Sequence, residues 1–279
     1  MSSLEQRFPR KRVLITGATS GLGRALALEF ARKGWSVAVA GRDHGRIEDT
    51  ARAVREAGGT PLELILEVTE AEHFVAAARR ITEEWQGLDV LVNNAGIGAA
   101  GRIEDLTMDS WRLVIDVNLW SVVYGCHIFI PLLKKGGKGH ILNVSSASGL
   151  AGLPEMASYN ATKAAVIAIS ETLQCELVED GIDVTVSCPS AFRSNIASGP
   201  LVRETKSAVG RGVVAELDRT KVTAEDVARY TIRSMVRREL YSIPQRDARV
   251  MWRISRWLPE RYRSLLRYLF HRRLWVFAT

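Results

Sequence analysis

Two hydrophobic patterns alternate along the first 190 residues of the chain. Short runs that are apolar throughout are followed by longer segments in which apolar residues recur every three or four positions, as on one face of a helix. The runs predict strands at 12–17, 36–41, 62–68, 88–96, 139–146 and 182–190. The periodic segments predict helices at 21–34, 44–59, 70–86, 108–133 and 157–179. This alternation predicts an α/β fold, a doubly wound parallel sheet covered by helices on both faces in three layers.

The chain shows no internal repeat and no linker before about residue 192, which predicts one domain over residues 1–244. Within it, the polar segment 192–222 is expected to be irregular. The uncharged stretch 117–133 is slightly shorter than the roughly 20 residues that a membrane span needs, and it contains Asn118 and His127. A buried helix is therefore the favoured interpretation of that stretch.

The positive charge is confined to the end of the chain. Residues 245–279 carry nine arginines and two acids, which accounts for the whole net charge of +7, so the rest of the chain is neutral. A neutral body argues against a nucleic-acid groove. Three cysteines stand far apart, without metal spacing, and no apolar leader opens the sequence. We therefore expect no metal site and a reducing, cytoplasmic location.

Residues 245–279 are expected to form a basic, amphipathic helical extension. In 259–273 the apolar residues Tyr262, Leu265, Leu266, Leu269 and Phe270 recur with helical spacing. Such a stripe packs on the body of a protein, where it covers a pocket or pairs two subunits, or it binds an anionic membrane surface. The sequence leaves these alternatives open.

A glycine-rich turn follows the first predicted strand. The segment TGATSGLG (16–23) lets the backbone turn tightly and approach a phosphate at the N-terminus of the next helix. NAD-binding folds usually place an acid at the end of the second strand, whereas this chain has Gly41 followed by Arg42. Arginine can hold a 2′-phosphate, so we predict a preference for NADP(H), with NAD(H) possible. The simpler alternative is a surface arginine, with Asp43 capping the next helix.

Tyr159 and Lys163 stand four residues apart in SYNATKAAV (158–166) and share one face of the predicted helix. An ammonium group close to a phenol favours the phenolate, so we expect Lys163 to lower the pKa of Tyr159 towards neutrality. The alternative is two unrelated polar residues on a helix surface.

Six motifs then occur in the order and spacing of the short-chain dehydrogenase/reductase family, which the chain resembles over about residues 10–240. They are TGATSGLG (16–23), NNAG (93–96), Asn118, NVSS (143–146), YNATK (159–163) and CPS (188–190).

The resemblance implies four catalytic roles. Tyr159 is the general acid/base, Lys163 assists it and binds the nicotinamide ribose, Ser146 orients the substrate oxygen, and Asn118 holds a water in a proton relay. Ser145 is expected to be structural. The cofactor-binding residues that we predict are Gly17, Thr19, Ser20, Gly21, Leu22, Gly23, Arg42, Glu67, Val68, Asn93, Ala95, Gly96, Tyr159, Lys163, Pro189 and Ser194.

The chain departs from the family pattern at three positions. Glu67 replaces an aspartate that contacts adenine, Ser194 replaces a threonine that binds the carboxamide, and Ser190 replaces a glycine, which can reshape the pocket over the nicotinamide. By its position, 192–222 corresponds to the family's substrate lid.

The expected function is an NADP(H)-dependent oxidoreductase that interconverts an alcohol and a ketone or aldehyde. The apolar tail beside the lid favours a lipophilic substrate such as a steroid, a retinoid or a fatty-acyl ketone. By family analogy, helices 108–133 and 157–179 pair subunits in a homodimer or homotetramer. The alternatives are a catalytically silent NADP-binding scaffold or sensor, and a membrane-tethering protein whose tail matters more than its site.

Overall fold

A parallel sheet forms the centre of the protein. The computed structural model describes residues 3–203 and 207–274. The strands found there are β1 (Arg12–Thr16), β2 (Ser36–Gly41), β3 (Thr60–Ile65), β4 (Val90–Asn93), β5 (Gly139–Val144), β6 (Ile182–Ser187) and β7 (Tyr241–Ser242). They lie in the order β3-β2-β1-β4-β5-β6-β7, with every neighbouring pair parallel.

Helices cover both faces of this sheet. The helices described are α1 (Leu4–Arg7), α2 (Gly21–Ala31), α3 (His44–Glu56), α4 (Ala71–Trp85), α5 (Met108–Ile115), α6 (Ser121–Lys135), α7 (Ala147–Ala151), α8 (Ala157–Glu176), α9 (Pro200–Arg203), α10 (Ala208–Arg219), α11 (Ala224–Val236), α12 (Arg246–Trp257) and α13 (Pro259–His271). A π-helical turn, Asp116–Trp120, joins α5 to α6, and a 3-10 turn covers Asn195–Ala197.

The strands are hydrophobic without alternation because both of their faces are buried. Val13 and Ile15 of β1 pack into a core with α2, α3 and α11, whereas Leu14 points to the opposite core, formed with α4, α6 and α8. Successive side chains of a strand point to opposite faces, so both cores are supplied by one strand. The predicted doubly wound α/β fold is confirmed.

The predicted strands at 88–96, 139–146 and 182–190 extend beyond the observed ones. Their last residues leave the sheet and form loops at its carboxyl edge, where the candidate site lies. The expectation that 192–222 is irregular is wrong, because α10 occupies Ala208–Arg219. The signal was present in the sequence: Val209, Val213 and Leu217 are spaced four apart, and this stripe packs inward. Residues 204–206 of the predicted lid lie outside the described residues.

The predicted helix 108–133 is present in three pieces, α5, the π-helical turn and α6. The run Met108–Lys135 is long and apolar enough, by length and composition alone, to cross a membrane. In the structure, Val122, Phe129 and Leu133 of α6 pack into the core beneath the sheet. This packing agrees with the favoured interpretation of a buried helix.

The C-terminal extension packs on the body of the protein. Trp252 of α12 contacts Tyr241 of β7, with their ring centroids 5.1 Å apart. Arg263 of α13 donates hydrogen bonds from Nη1 to the carbonyl oxygens of Ala151 (3.1 Å) and Gly152 (3.3 Å) at the end of α7. The extension therefore packs beside the end of α7. Its last five residues, 275–279, lie outside the described residues.

Candidate active site and cofactor cleft

The carboxyl edge of the sheet collects the residues predicted from the sequence. The glycine-rich turn follows β1, and the segments that follow β4, β5 and β6 bring Ala95 with Gly96, Ser146, and Pro189 to the same edge. Open parallel sheets bind ligands at this edge. The fold thus unites Gly17 and Pro189, which are 172 residues apart in the chain.

The glycine-rich turn is locked to the loop after β4. Asn94 donates from Nδ2 to the carbonyl oxygens of Thr16 (2.9 Å) and Gly17 (3.2 Å), and its own N–H donates to Thr16 Oγ1 at 3.0 Å. No space remains for a side chain at Gly23, because a Cβ there would lie 2.3 Å from the Gly17 carbonyl oxygen. Gly17 itself has φ +62°, a conformation that favours glycine.

This turn presents the N-terminus of α2 towards the edge. Ser20 is the N-cap of α2, but its side chain makes no capping hydrogen bond. The first N–H groups of the helix are therefore left to bind an anion such as a pyrophosphate. The side chain of Leu22 is buried in the core, so its contribution to such a site is its backbone N–H.

The residues present fit a dinucleotide cofactor. Ser194 Oγ is buried without a hydrogen-bond partner among the described residues, and a Cβ placed on Gly21 would lie 3.8 Å from the Ser194 Cβ. Ser194 therefore stands beside the glycine-rich turn with an unused hydroxyl. At Gly96, a Cβ would lie 3.1 Å from Asn118 Oδ1 and 3.3 Å from Lys163 Nζ, so a ligand can approach the backbone only because this residue is glycine.

The end of β2 carries the predicted determinant of cofactor choice. The Arg42 side chain is 82% exposed, and its Nη1 lies 4.0 Å from Glu67 Oε2 in the loop after β3. Val68 follows Glu67 and packs partly on the core. Asp43 accepts a hydrogen bond from the Arg46 N–H at 3.0 Å and caps α3 as predicted. Arg42 is thus a solvated guanidinium with one acidic neighbour.

Asn93 requires a correction. Its side chain is buried among the strands, where Nδ2 donates to Asn143 Oδ1 at 2.9 Å and to Cys126 Sγ at 3.4 Å. The Asn93 side chain therefore stabilises the interior of the sheet and is not available to a cofactor. The next residue, Asn94, which we did not predict, holds the glycine-rich turn. A strand alternates its faces, and this alternation is the signal that could have separated the two asparagines.

Three of the predicted catalytic residues meet where α7 and α8 begin. Tyr159 and Lys163 share one face of α8, both buried, and the Lys163 ammonium nitrogen lies 5.8 Å from the centre of the Tyr159 ring. Ser146 is the N-cap of α7, accepts a hydrogen bond from the Ser148 N–H at 3.2 Å, and lies close enough to Tyr159 to influence its pKa. Ser145 donates to the Lys163 carbonyl oxygen at 2.7 Å, which agrees with a structural role.

The expected lowering of the Tyr159 pKa by Lys163 is wrong for this structure. Burial raises the pKa of Tyr159, and hydrogen bonding with Ser146 opposes the rise only in part. The physical reason is burial, which penalises the charged phenolate, while the Lys163 Nζ donates to the Val144 carbonyl oxygen at 3.0 Å. Burial also lowers the pKa of Lys163 to about 8, while the neighbouring Cys188 acts in the opposite direction.

The Asn118 side chain hydrogen-bonds the backbone of the loop after β4. It lies in the π-helical turn, fully buried, where Oδ1 accepts from the Ile97 N–H at 2.8 Å and Nδ2 donates to the Ile97 carbonyl oxygen at 2.9 Å. Both ends of the amide are therefore used to hold the loop after β4. These bonds position the loop that carries Gly96, and the relay water held by Asn118 stays a prediction.

The residues after β6 anchor the extension. The Ala147 N–H donates to the Pro189 carbonyl oxygen at 2.9 Å. The Ser190 hydroxyl donates to Asp247 Oδ1 at 3.2 Å, and the Ser190 N–H donates to Gln245 Oε1 at 3.0 Å. The serine that departs from the family pattern thus attaches the start of α12 to the sheet edge.

An apolar cluster surrounds Tyr159. We call it the substrate-side cluster; its buried members are Ala100, Ala151, Met156, Tyr159, Val209, Tyr262 and Leu266. Tyr262 and Leu266 come from α13, and Leu269 and Phe270 pack against the same cluster. Of the open alternatives for the apolar stripe of 259–273, the structure shows packing on the body, beside the catalytic tyrosine candidate. Sequence periodicity identified the stripe but not the surface that it covers.

Comparison with known proteins gives a family match. The family model described as "short chain dehydrogenase" matches residues 11–201. A curated relative, the "Probable oxidoreductase EphD" of Mycobacterium tuberculosis, is 36% identical over 262 residues, which are 91% of this chain and 44% of that protein. The chain therefore spans less than half the length of this relative. The "3beta-hydroxysteroid dehydrogenase" of Mediterraneibacter gnavus is 39% identical over 185 residues, 66% of this chain and 67% of that protein.

A solved structure agrees with the fold. The short chain dehydrogenase/reductase of Burkholderia phymatum in complex with NAD matches with a TM-score of 0.82 and 29% identity, over 88% of this chain and 92% of the solved one.

Proposed function

The chain belongs to the short-chain dehydrogenase family, and from this membership and the site we propose that it is an NADP(H)-dependent oxidoreductase. Its reaction interconverts a secondary alcohol and a ketone, or an alcohol and an aldehyde. The observation that carries the proposal is the meeting of Ser146, Tyr159 and Lys163 at the carboxyl edge of the sheet, beside the glycine-rich turn. The bound nicotinamide would supply or accept the hydride.

The side chains of this protein supply the proton. In the reductive direction, Tyr159 Oη gives its proton to the carbonyl oxygen, and the Ser146 hydroxyl hydrogen-bonds the same oxygen and orients it. The pKa of Tyr159 is raised by burial, so the phenol is protonated at neutral pH and suited to act as the acid. Lys163, whose pKa is about 8, is mostly cationic at pH 7 and stands on the same face of α8 as Tyr159, where its ammonium group would bind the nicotinamide ribose.

The preference for NADP(H) rests on Arg42. Its exposed guanidinium at the end of β2 is free to turn towards a 2′-phosphate, and the loop around it lacks the carboxylate that usually binds the ribose hydroxyls of NAD. Glu67 works against this preference through its charge. Fluorescence titrations of the protein with NADPH and with NADH measure the outcome, and equal affinities would remove the preference.

A lipophilic substrate is supported by the substrate-side cluster. The buried side chains around Tyr159 are apolar except for the Tyr262 hydroxyl, and they come from α7, α10, α13 and the loops that contain Ala100 and Met156. Polar substrates would lose water on entering such a site without regaining hydrogen bonds, whereas a steroid, a retinoid or a fatty-acyl ketone gains buried apolar area. One relative is named a 3beta-hydroxysteroid dehydrogenase, which supports steroids as the first class to assay.

The Tyr159→Phe variant tests the proposal against a catalytically silent NADP-binding scaffold. It removes one hydroxyl and keeps the ring, so NADPH should bind with unchanged affinity. Turnover of a ketone that the wild-type protein reduces should fall by about 10²–10⁴-fold, because the proton donor is lost. NADPH absorbance at saturating cofactor measures turnover, and fluorescence titration measures binding.

Tyr230→Phe is the matched control, since Tyr230 lies on α11, on the far side of the sheet from α8. It should keep wild-type turnover. Retained turnover in Tyr159→Phe would remove Tyr159 from its role. Absence of turnover with any ketone or alcohol, despite tight NADPH binding, would favour the scaffold.

We also propose a homodimer or homotetramer formed through α5–α6 and α8, by analogy with the family. Leu113 and Trp120 are exposed on the first of these segments, and Ala161, Ala164 and Ala168 form an exposed flat strip on α8. Light scattering coupled to gel filtration measures the assembly, and a monomer at micromolar concentration would contradict this part of the proposal.

Peripheral contact of a cytoplasmic protein with a membrane is proposed for the outer face of the extension. Trp257 is 80% exposed, and Val250, Ile254 and Leu258 are exposed beside it on the same face of α12. Arginines border these residues, and this combination suits an anionic lipid surface. Co-sedimentation should occur with phosphatidylserine vesicles but not with phosphatidylcholine vesicles, and Trp257→Ser should weaken it. Equal recovery from both vesicles would contradict the contact.

A further inference from the structure

Tyr262 has a buried hydroxyl without a hydrogen-bond partner among the described residues. The residue is 3% exposed, and its Oη lies beyond hydrogen-bond distance of every described donor and acceptor. Buried polar side chains nearly always find a partner, because an unpaired hydroxyl loses its water without compensation. Phenylalanine would fill nearly the same volume without that loss. A ligand that hydrogen-bonds the hydroxyl would account for tyrosine at this position.

The position of Tyr262 connects this hydroxyl to the site. Tyr262 and Tyr159 belong to the substrate-side cluster, whose other buried members are apolar. The helix that carries Tyr262 is fixed, since the neighbouring Arg263 binds the carbonyl oxygens of Ala151 and Gly152. The phenol ring is therefore held in place by its own helix and by the end of α7.

A substrate that reaches Tyr159 lies against this cluster. The Tyr159 side chain is 8% exposed and packs among the cluster residues, so a molecule that brings a carbonyl to its hydroxyl contacts them. A substrate that lies between α8 and α13 then contacts Tyr159 at its reacting end and Tyr262 at another point. Because the rest of the cluster is apolar, Tyr262 is the only phenol that α13 directs into it among the described residues.

We propose that the Tyr262 hydroxyl hydrogen-bonds a second polar group of the substrate, remote from the carbon that exchanges hydride. The ligand class is a rigid, lipophilic ketone or alcohol with a hydroxyl or carbonyl group at its far end. This inference rests on the proposed function, of which it specifies the substrate. Tyr262 acts as a positioning residue, and Tyr159 and Ser146 remain the groups at the reacting oxygen.

Two matched ketones test the inference by direct binding. The probes are 5α-androstan-3-one and its 17β-hydroxy derivative, which differ by one hydroxyl at the end opposite to the carbonyl. Calorimetry on protein saturated with NADP⁺ measures their affinities without turnover, since the oxidised cofactor cannot reduce a ketone. The wild-type protein should bind the hydroxy ketone about tenfold more tightly, as one buried hydrogen bond allows.

The Tyr262→Phe variant should abolish this difference, leaving the affinity for the parent ketone unchanged. Tyr268→Phe is the control, because Tyr268 lies on the same helix but is exposed. A thermal melt tests the alternative that the Tyr262 hydroxyl has a structural role, because loss of a structural hydrogen bond would lower the melting temperature. Because no described residue hydrogen-bonds the Tyr262 hydroxyl, Tyr262→Phe should melt at the wild-type temperature or above it.

Equal binding of both ketones by the wild-type protein would overturn the inference, as would a difference that survives in Tyr262→Phe. A lower melting temperature for Tyr262→Phe would also overturn it, because it would show that the hydroxyl has a structural partner. Failure of the proposed function is a separate result: neither ketone is reduced with NADPH, while the difference in affinity and its loss in Tyr262→Phe persist.

Discussion

The two sides of the candidate site are built in different ways. The cofactor side, formed by the glycine-rich turn and the loop after β4, is held by hydrogen bonds from Asn94 to the backbone and has no space for an added methyl group. The substrate-side cluster is held by apolar side chains from four helices and contains an unpaired hydroxyl. The backbone of the cofactor side therefore accepts a ligand of one shape. On the substrate side, amino-acid substitutions can change the shape of the ligand that fits.

The largest effect is expected on the cofactor side. Gly23→Ala would place a methyl group 2.3 Å from the Gly17 carbonyl oxygen and 2.4 Å from Asn94 Nδ2, so the turn must move. NADPH affinity, measured by fluorescence titration, should fall at least about 100-fold, corresponding to roughly 3 kcal/mol.

Gly45→Ala is its control, because a Cβ on this glycine of α3 would meet its nearest neighbour, Asp43 Oδ1, at an ordinary 3.7 Å. This control should bind NADPH like the wild-type protein. A Gly23→Ala variant with unchanged affinity would show that the turn is not rigid.

On the substrate side, Leu266→Ala should weaken the binding of the substrate without weakening the binding of NADPH. Leu266 is buried in the substrate-side cluster, so its truncation should reduce the free energy of unfolding by about 2–4 kcal/mol. The KM for a lipophilic ketone should rise about tenfold while NADPH affinity stays within twofold. Leu265, 49% exposed on the same helix, provides the control. Leu265→Ala should change the free energy of unfolding by less than about 0.5 kcal/mol. Equal effects of the two variants would show that Leu266 does not pack in the substrate-side cluster.

The smallest effect concerns the lysine that joins the two sides. Burial lowers the pKa of Lys163 from 10.5 to about 8, so between these pH values the unfolded chain binds more protons than the folded protein. The free energy of unfolding should therefore rise with pH between about 8 and 10.5. Lys163→Met should remove this rise and stabilise the protein at pH 7, by on the order of 1–3 kcal/mol.

Chemical denaturation at pH 7, 8, 9 and 10 measures this dependence. The same variant should lose turnover, because the ammonium group proposed to bind the nicotinamide ribose is gone. A rise with pH that persists in Lys163→Met would assign it to another group.

The sequence predicted the cofactor side better than the substrate side. The glycine spacing is a local property of one turn, and a strand followed by a helix places it at the sheet edge without further information. The roles of Tyr262 and Leu266 depend on the surface that α13 covers, which periodicity does not specify. Hydrophobic spacing could have revealed α10, but its glycines and arginines concealed the stripe of Val209, Val213 and Leu217.

The sequence also did not specify the directions of the polar side chains. Motif spacing identified Asn118 and Lys163, but it did not specify the partners that their polar atoms bind. Asn118 binds the backbone of Ile97, and Lys163 binds the carbonyl oxygen of Val144. The same ambiguity affected Asn93 and Asn94, which are adjacent in sequence but differ in place, since Asn93 ends β4 and Asn94 begins the loop after it.

The hydrogen bonds of Ser190 with Gln245 and Asp247 mark a natural junction for recombination. The residues proposed to transfer the proton lie before this junction, while the wall supplied by α13 lies after it. Chimaeras that exchange only the segment after Gln245 between homologous chains should change their ligand preference and keep Ser146, Tyr159 and Lys163. A lineage can diversify its ligands in this way through its terminus, without altering these three residues.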